Sequence, residues 1–330
     1  MRLKRFWGFL VTLCLGFVLV GCGEPSATQM IHQLQTVQSS LTSYETKAMM
    51  TVHVQGALQK YYVETKFRAP NLYSIALGNE NKEISQIILH NEQGIYIISP
   101  GAKKVIRFEG DWAEKQGYLY LYHSLLNRII ASSNPDYSIR DKVASFVLAA
   151  DPLNPLISTQ KISLDASTFS PKQVVLYDRQ KQPVITLDYL SFEKGMNFQP
   201  GTFSPDQATT LQTIEMPVSS VEQGFGVIEP SWVPSDDALL DETERNGVVF
   251  VRYNGQEPFT MIEERPGAGD VAIGQGNLVT LYGIPAVLTG SSGVHQLYWM
   301  DHGVEFQLTS KMATQDLIHV AASTVEITGK

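Results

Sequence analysis

The chain has 330 residues, a formal charge of -8 with its histidines neutral, and a hydrophobic fraction of 43%. Such an acidic balance argues against nucleic acid or an anionic lipid surface as the main partner, and the composition is that of a globular protein with length enough for two domains. Only two cysteines are present, Cys14 and Cys22, and Cys14 falls in a segment expected to be removed, so the mature chain can build neither a disulfide nor a thiolate metal site.

Arg2, Lys4 and Arg5 precede an uncharged run from Phe6 to Val20, which ends at Gly21-Cys22-Gly23-Glu24-Pro25. A charged start, a short apolar run and a small-residue break are the parts of an export signal, and the run is shorter than the roughly 20 apolar residues that span a bilayer. Leu19-Val20-Gly21-Cys22 matches the bacterial lipobox, in which the thiol takes a diacylglycerol before cleavage ahead of it. Two acyl chains anchor stably where one binds marginally. The expectation is a signal peptide over 1–21, a tether over 22–29, palmitate-type lipid on Cys22 and residence on the extracytoplasmic face of the cell membrane.

Met30, Ile31, Leu34, Val37 and Leu41 recur at helical spacing. From Thr46 the period becomes two: Met50, Val52 and Val54 alternate with polar neighbours, and Tyr61, Val63 and Thr65 follow beyond Gly56. Further strands are expected at Leu72–Leu77, Ile84–Leu89, Ile95–Ile98 and Val105–Phe108. A helix carries the stripe Tyr118, Leu121, Tyr122, Leu125, Leu126 and Ile129. Strands resume at Ser145–Ala149, Lys161–Asp165, Val174–Tyr177 and Val184–Phe192. Short strands with short turns predict an α+β, mainly β architecture: a large curled antiparallel sheet with few helices.

Pro200–Ser220 has linker composition, which puts a boundary between a domain over 30–214 and a second over 215–330. The second unit is expected to hold strands at Val248–Tyr253, Phe259–Glu263, Pro285–Leu288, Gln296–Met300 and Val304–Thr309, and a helix at Gln315–Ala322. The acidic group Asp236, Asp237, Asp241, Glu242 and Glu244 lacks the alternation and glycine of an EF-hand loop and reads as a solvated loop or helix start. Gly267-Ala268-Gly269 and Gly274-Gln275-Gly276 complete no phosphate-binding motif and read as turns. Gly290-Ser291-Ser292-Gly293 reads as a hairpin tip, and the seven histidines do not cluster for a metal.

Phe67-Arg68-Ala69-Pro70-Asn71-Leu72-Tyr73, followed by Ile87-Ile88-Leu89 and Gly94-Ile95-Tyr96-Ile97-Ile98-Ser99-Pro100, resembles the core of the LolA-like lipoprotein-carrier fold. That resemblance implies a curved half-barrel capped by helices around an apolar cavity. Phe108-Glu109-Gly110-Asp111-Trp112 leading into Tyr120–Ile129 resembles the lipoprotein branch of endospore-forming bacteria, tied to sporulation and germination, where the fold partners a cell-wall amidase. The C-terminal unit, through Pro230–Pro234, Leu297-Tyr298-Trp299 and Asp316–Ser323, is similar to a small domain of unknown function in bacterial anti-sigma and sporulation membrane proteins.

No paired acid and base, metal set or activated nucleophile is visible, so the expected function is non-enzymatic and needs no cofactor. It is a membrane-anchored binding or regulatory lipoprotein with a protein partner; the alternative is a tethered lipid or lipoprotein carrier or sensor. Phe67, Tyr73, Tyr96, Trp112, Tyr118 and Tyr122 are the candidates to line a groove for an acyl chain or a peptide. Ordinary core packing accounts equally for such aromatics, and the interior of an open half-barrel must be filled by lid or ligand.

Overall fold

The computed structural model describes residues 25–54, 57–109, 119–132, 135–150, 155–209, 226–301 and 303–328. Cys22, Trp112, Tyr118, His302 and the boundary near residue 214 lie outside them. Helix α1 (Ala27–Ser40) opens on a capping box: the Ser26 hydroxyl accepts from Gln29 N, and the Gln29 side chain accepts from Ser26 N at 2.9 Å. The helix therefore begins inside the stretch expected to be tether. It buries Met30 and Leu34, one helical turn apart.

Six antiparallel strands follow: β1 (Ser43–Val54), β2 (Ala57–Arg68), β3 (Leu72–Gly78), β4 (Ile84–Asn91), β5 (Gly94–Ser99) and β6 (Lys104–Glu109). Helix α2 (Tyr122–Ala131) interrupts them, and β7 (Asp136–Arg140), β8 (Val143–Ala149), β9 (Thr159–Asp165), β10 (Pro171–Tyr177) and β11 (Pro183–Lys194) complete the first unit. Because β11 returns to pair with β1, the order runs β6-β5-β4-β3-β2-β1-β11-β10-β9-β8-β7. Phe108 on β6 and Phe146 on β8, near opposite ends, belong to one apolar cluster with Met30 and Leu34 of α1 and Leu125, Leu126 and Ile129 of α2. The sheet curls around the two helices and stays open.

The apolar stripe expected in α2 is buried at Tyr122, Leu125, Leu126 and Ile129. The helix starts at Tyr122, later than its stripe suggested. Short helix α3 (Pro205–Thr209) occupies part of the presumed linker and puts Ala208 against Ile87, Leu89, Tyr96 and Ile98.

The C-terminal unit is a seven-stranded antiparallel sheet of β12 (Ala238–Arg245), β13 (Val248–Asn254), β14 (Phe259–Glu264), β16 (Asn277–Leu281), β17 (Ile284–Ser291), β18 (Val294–Asp301) and β19 (Val304–Ser310), in the order β12-β13-β14-β19-β18-β17-β16. Helix α4 (Thr314–Thr328) packs Leu317, Val320, Ala321 and Val325 onto Phe306, Leu297 and Met261. The tip expected at Gly290–Gly293 joins β17 to β18, with Ser292 and Gly293 both at positive φ (55° and 78°), as the twist of a two-residue hairpin demands.

Four strands depart from expectation. The acidic stretch from Asp241 to Glu244 is part of strand β12, not a loop or helix start; as an edge strand exposed along most of its length it carries no alternating apolar signal. The same holds for edge strand β7, whose side chains are all exposed or half-buried. The glycine groups around 267–276 enclose strand β15 (Gly269–Gln275), which leaves its own sheet and pairs parallel with β6, Val271 opposite Ile106. Strand β16 was masked by those glycines and by its brevity. No helix among the described residues is long and apolar enough to cross a membrane.

Candidate binding site

The candidate aromatics separate by strand parity. On β2 and β3, Phe67 and Tyr73 face the α1/α2 cluster, as does Tyr122 on α2; all three are essentially buried. Tyr96 points the other way: its β5 neighbours Ile95 and Ile97 face the helices, so Tyr96 and Ile98 take the opposite face, under α3. Tyr73 stacks on His90, its cross-strand partner, with ring centroids 5.1 Å apart. Tyr96 thus does not join Phe67, Tyr73 and Tyr122 on one wall, whereas Tyr73 stands directly opposite Phe67 across the β2–β3 pair.

Phe67 and Tyr122 do meet, through residues the sequence did not single out. Tyr44 on β1 lies opposite Phe67 and stacks on it at 5.0 Å, and it meets Tyr122 edge-on at 5.8 Å. Phe192 on β11 closes the group at 4.6 Å from Tyr122. His123, the residue after Tyr122, stacks on Phe67 at 4.1 Å and sets its Nδ1 3.1 Å from the Tyr44 hydroxyl. Burial pushes the His123 imidazole down to about 4, so at neutral pH the ring is uncharged. Burial also raises the Tyr44 phenol, against the lowering pull of the His123 and Tyr122 backbone. A neutral ring beside a protonated phenol forms a polar pin in an aromatic wall.

Beside this wall, where α1 ends and β1 begins, lies a cavity of about 340 Å³ lined by Val37, Ser40, Leu41, Thr42, Ser43, Lys194 and Gly195. It is at the small end of ligand pockets. Among the described residues no three His, Cys, Asp or Glu side chains gather as a metal site.

Elsewhere on the concave face the C-terminal unit packs against the first. The turn between β16 and β17 enters there: the Tyr120 hydroxyl, fully buried, donates to the Gly283 carbonyl, and Met50 packs against the same glycine. Gly283 has φ +88, and a Cβ built on it would stand 2.8 Å from Met50 Sδ and 3.2 Å from the Tyr120 oxygen. Only glycine meets both demands. Lys104 on β6 pairs with Glu305 on β19, both side chains about nine-tenths buried, and Gln59 Nε2 donates to Val325 O at 3.3 Å. With the β15–β6 ladder, these bonds seat the C-terminal unit over the mouth of the curled sheet.

The fold and site define a mainly β, open-sheet protein whose concave face carries aromatics and packs against its own helices and C-terminal unit. End to end it is similar to the sporulation protein YdcC of Bacillus subtilis (strain 168), at 28% identity over 97% of this chain and 96% of that protein. No family model matches. Solved structures with some likeness include the Pseudomonas aeruginosa MucA/MucB complex (14% identity, 90% of this chain and 97% of that one, TM-score 0.32). Others are the CwlD amidase of Clostridioides difficile in complex with the GerS lipoprotein (13%, 55% and 100%, 0.31) and a putative outer membrane lipoprotein-sorting protein domain from Vibrio parahaemolyticus (11%, 56% and 100%, 0.34). At TM-scores this low the overlaps decide nothing about function.

Proposed function

We propose that this chain is a non-enzymatic lipoprotein, anchored through Cys22 to the extracytoplasmic face of the cell membrane, which acts in sporulation or germination by binding a protein partner. The observation that carries the reading is the similarity over nearly the whole chain to a protein named for sporulation. The amidase-partnered germination lipoproteins that Phe108–Ile129 resembles make a cell-wall amidase the first partner to look for. The packing of Leu125, Leu126 and the Gly283 turn into the concave face favours a partner-binding scaffold over a lipid carrier, because an acyl chain lying there would have to displace them. The alternative, a tethered lipid sensor, draws on the aromatic wall and the cavity beside it.

Affinity capture from sporulating cells, with Cys22 intact, is expected to retain a cortex-modifying enzyme. Cys22→Ser is expected to move the chain from the membrane to the soluble fraction. A deletion strain with normal cortex and normal germination would remove the sporulation reading. Native mass spectrometry showing a co-purified lipid would favour the sensor instead.

A further inference from the structure

Sheet edges present unpaired main-chain groups, and three of the four sheet edges among the described residues are protected. Edge strand β7 carries Asp136 and Arg140, β12 carries Asp241, Glu242, Glu244 and Arg245, and β16 is largely buried. Strand β15, the outermost strand beyond β6 among the described residues, has neither protection: its one charge is Asp270, and six of its seven residues are exposed. Val271, 42% exposed, is one of few large apolar side chains in the open among the described residues.

The hydrogen-bond direction of β15 is fixed at its start. Gly269 N donates to Lys103 O at 3.2 Å, toward β6. In a parallel ladder, alternate residues turn both N–H and C=O to the same side, so Asp270 and Ala272 present theirs to solvent. The ladder is regular through Ala272 and irregular beyond it.

We propose that β15 is an interface between two copies of this chain, pairing antiparallel with its twin about a two-fold axis at Val271. In this register Asp270 stands opposite the twin's Ala272, and the outward donors and acceptors of both residues are satisfied within the regular part of the ladder. Val271 meets Val271 as a close cross-strand pair, which covers the exposed side chain. The two Asp270 carboxylates are not opposite one another. A strand that is neutral at its centre and self-complementary in this register favours a second copy over a foreign segment, and a two-fold contact closes without propagating into a filament.

Sedimentation of the full mature chain tests this. The wild type is expected to dimerise with rising concentration. Val271→Glu and Val271→Lys, each placing like charges face to face, are each expected to weaken the dimer by about tenfold. Mixing the two variants is expected to restore a heterodimer at low salt. Ala272→Pro removes an outward N–H and no bond to β6, and is expected to weaken the dimer with an unchanged far-UV spectrum. A wild type that stays monomeric at millimolar concentration, a dimer indifferent to both Val271 variants, or a β15 that captures only a foreign protein overturns the proposal.

Discussion

Glu263 on β14 is a carboxylate in the wrong solvent. It is fully buried on the inner face of the C-terminal sheet, one Oε accepts from Ile228 N at 3.0 Å, and the other has no hydrogen-bond partner among the described residues. Burial, with smaller contributions from Glu242 and Glu229, raises its carboxyl from 4.5 to about 7, against the lowering effect of the Ile228 bond. In the unfolded chain the group titrates near its ordinary value, so between roughly pH 4.5 and 7 the folded state holds a proton that the unfolded state releases. Stability is therefore full below pH 4.5 and declines as pH rises through 7, by about 3 kcal/mol at 1.36 kcal/mol per unit. Urea unfolding at several pH values from 5 to 8, followed by fluorescence of Trp232 and Trp299 in the same unit, measures it. Glu263→Gln keeps the shape and an acceptor for Ile228 N but cannot ionise; it is expected to flatten the decline and to exceed the wild type in stability at pH 8. A wild-type profile level from pH 5 to 8, or a variant as pH-dependent as the wild type, would refute the reasoning.

Lys104→Ala leaves the Glu305 carboxylate buried without its cation and is expected to cost about 3–5 kcal/mol, whereas Lys104→Met with Glu305→Leu should come close to the wild type; chemical denaturation of the two variants separates the outcomes. Gly283→Val adds a clash with Met50 and Tyr120 to a backbone at positive φ and should lower stability by about 2–4 kcal/mol. A Met50→Ala background should relieve the steric part only, which a double-mutant cycle of thermal melts would show.

Elements with one buried face were legible in the sequence. The alternation of Met50, Val52 and Val54 and the stripe Tyr122, Leu125, Leu126 and Ile129 are written by burial itself, and each lies where its period placed it. Strands β7, β12 and β15 were not, because edge strands bury little and their sequences follow solubility or turn chemistry instead. The aromatic wall was half legible. Phe67 and Tyr122 stood out as aromatics, but Phe192 reaches them only through the return of β11 to β1, a pairing across more than half of the first unit that no local pattern encodes, and His123 meets Tyr44 and Phe67 only because α2 docks on β1 and β2. Gly283 was invisible for a similar reason: a glycine in a hairpin turn is ordinary, and its necessity comes from Met50 and Tyr120 in the other unit.

The short distance between the proposed lipid and the first helix limits how the protein can stand. Two residues, Gly23 and Glu24, separate Cys22 from Pro25, so the three steps between them reach at most about 11 Å, and the Pro25 carbonyl is held at 3.2 Å by the hydroxyl of Tyr137 on β7. With lipid on Cys22, the start of α1 and the β7 end of the sheet would face the membrane closely, while the cavity at the far end of α1 would lie a helix length away, about 21 Å at 1.5 Å per residue. Orientation, not address alone, would then be set by the anchor. Inserting about ten Gly and Ser residues between Gly23 and Glu24 adds a flexible span on the order of 15–20 Å ahead of Ser26 and α1, and folding stability is expected to stay unchanged. Complementation of a deletion strain is expected to fall, because the bound partner loses its fixed height above the membrane. If the lengthened chain restores sporulation as fully as the wild type, the anchor supplies location and nothing more.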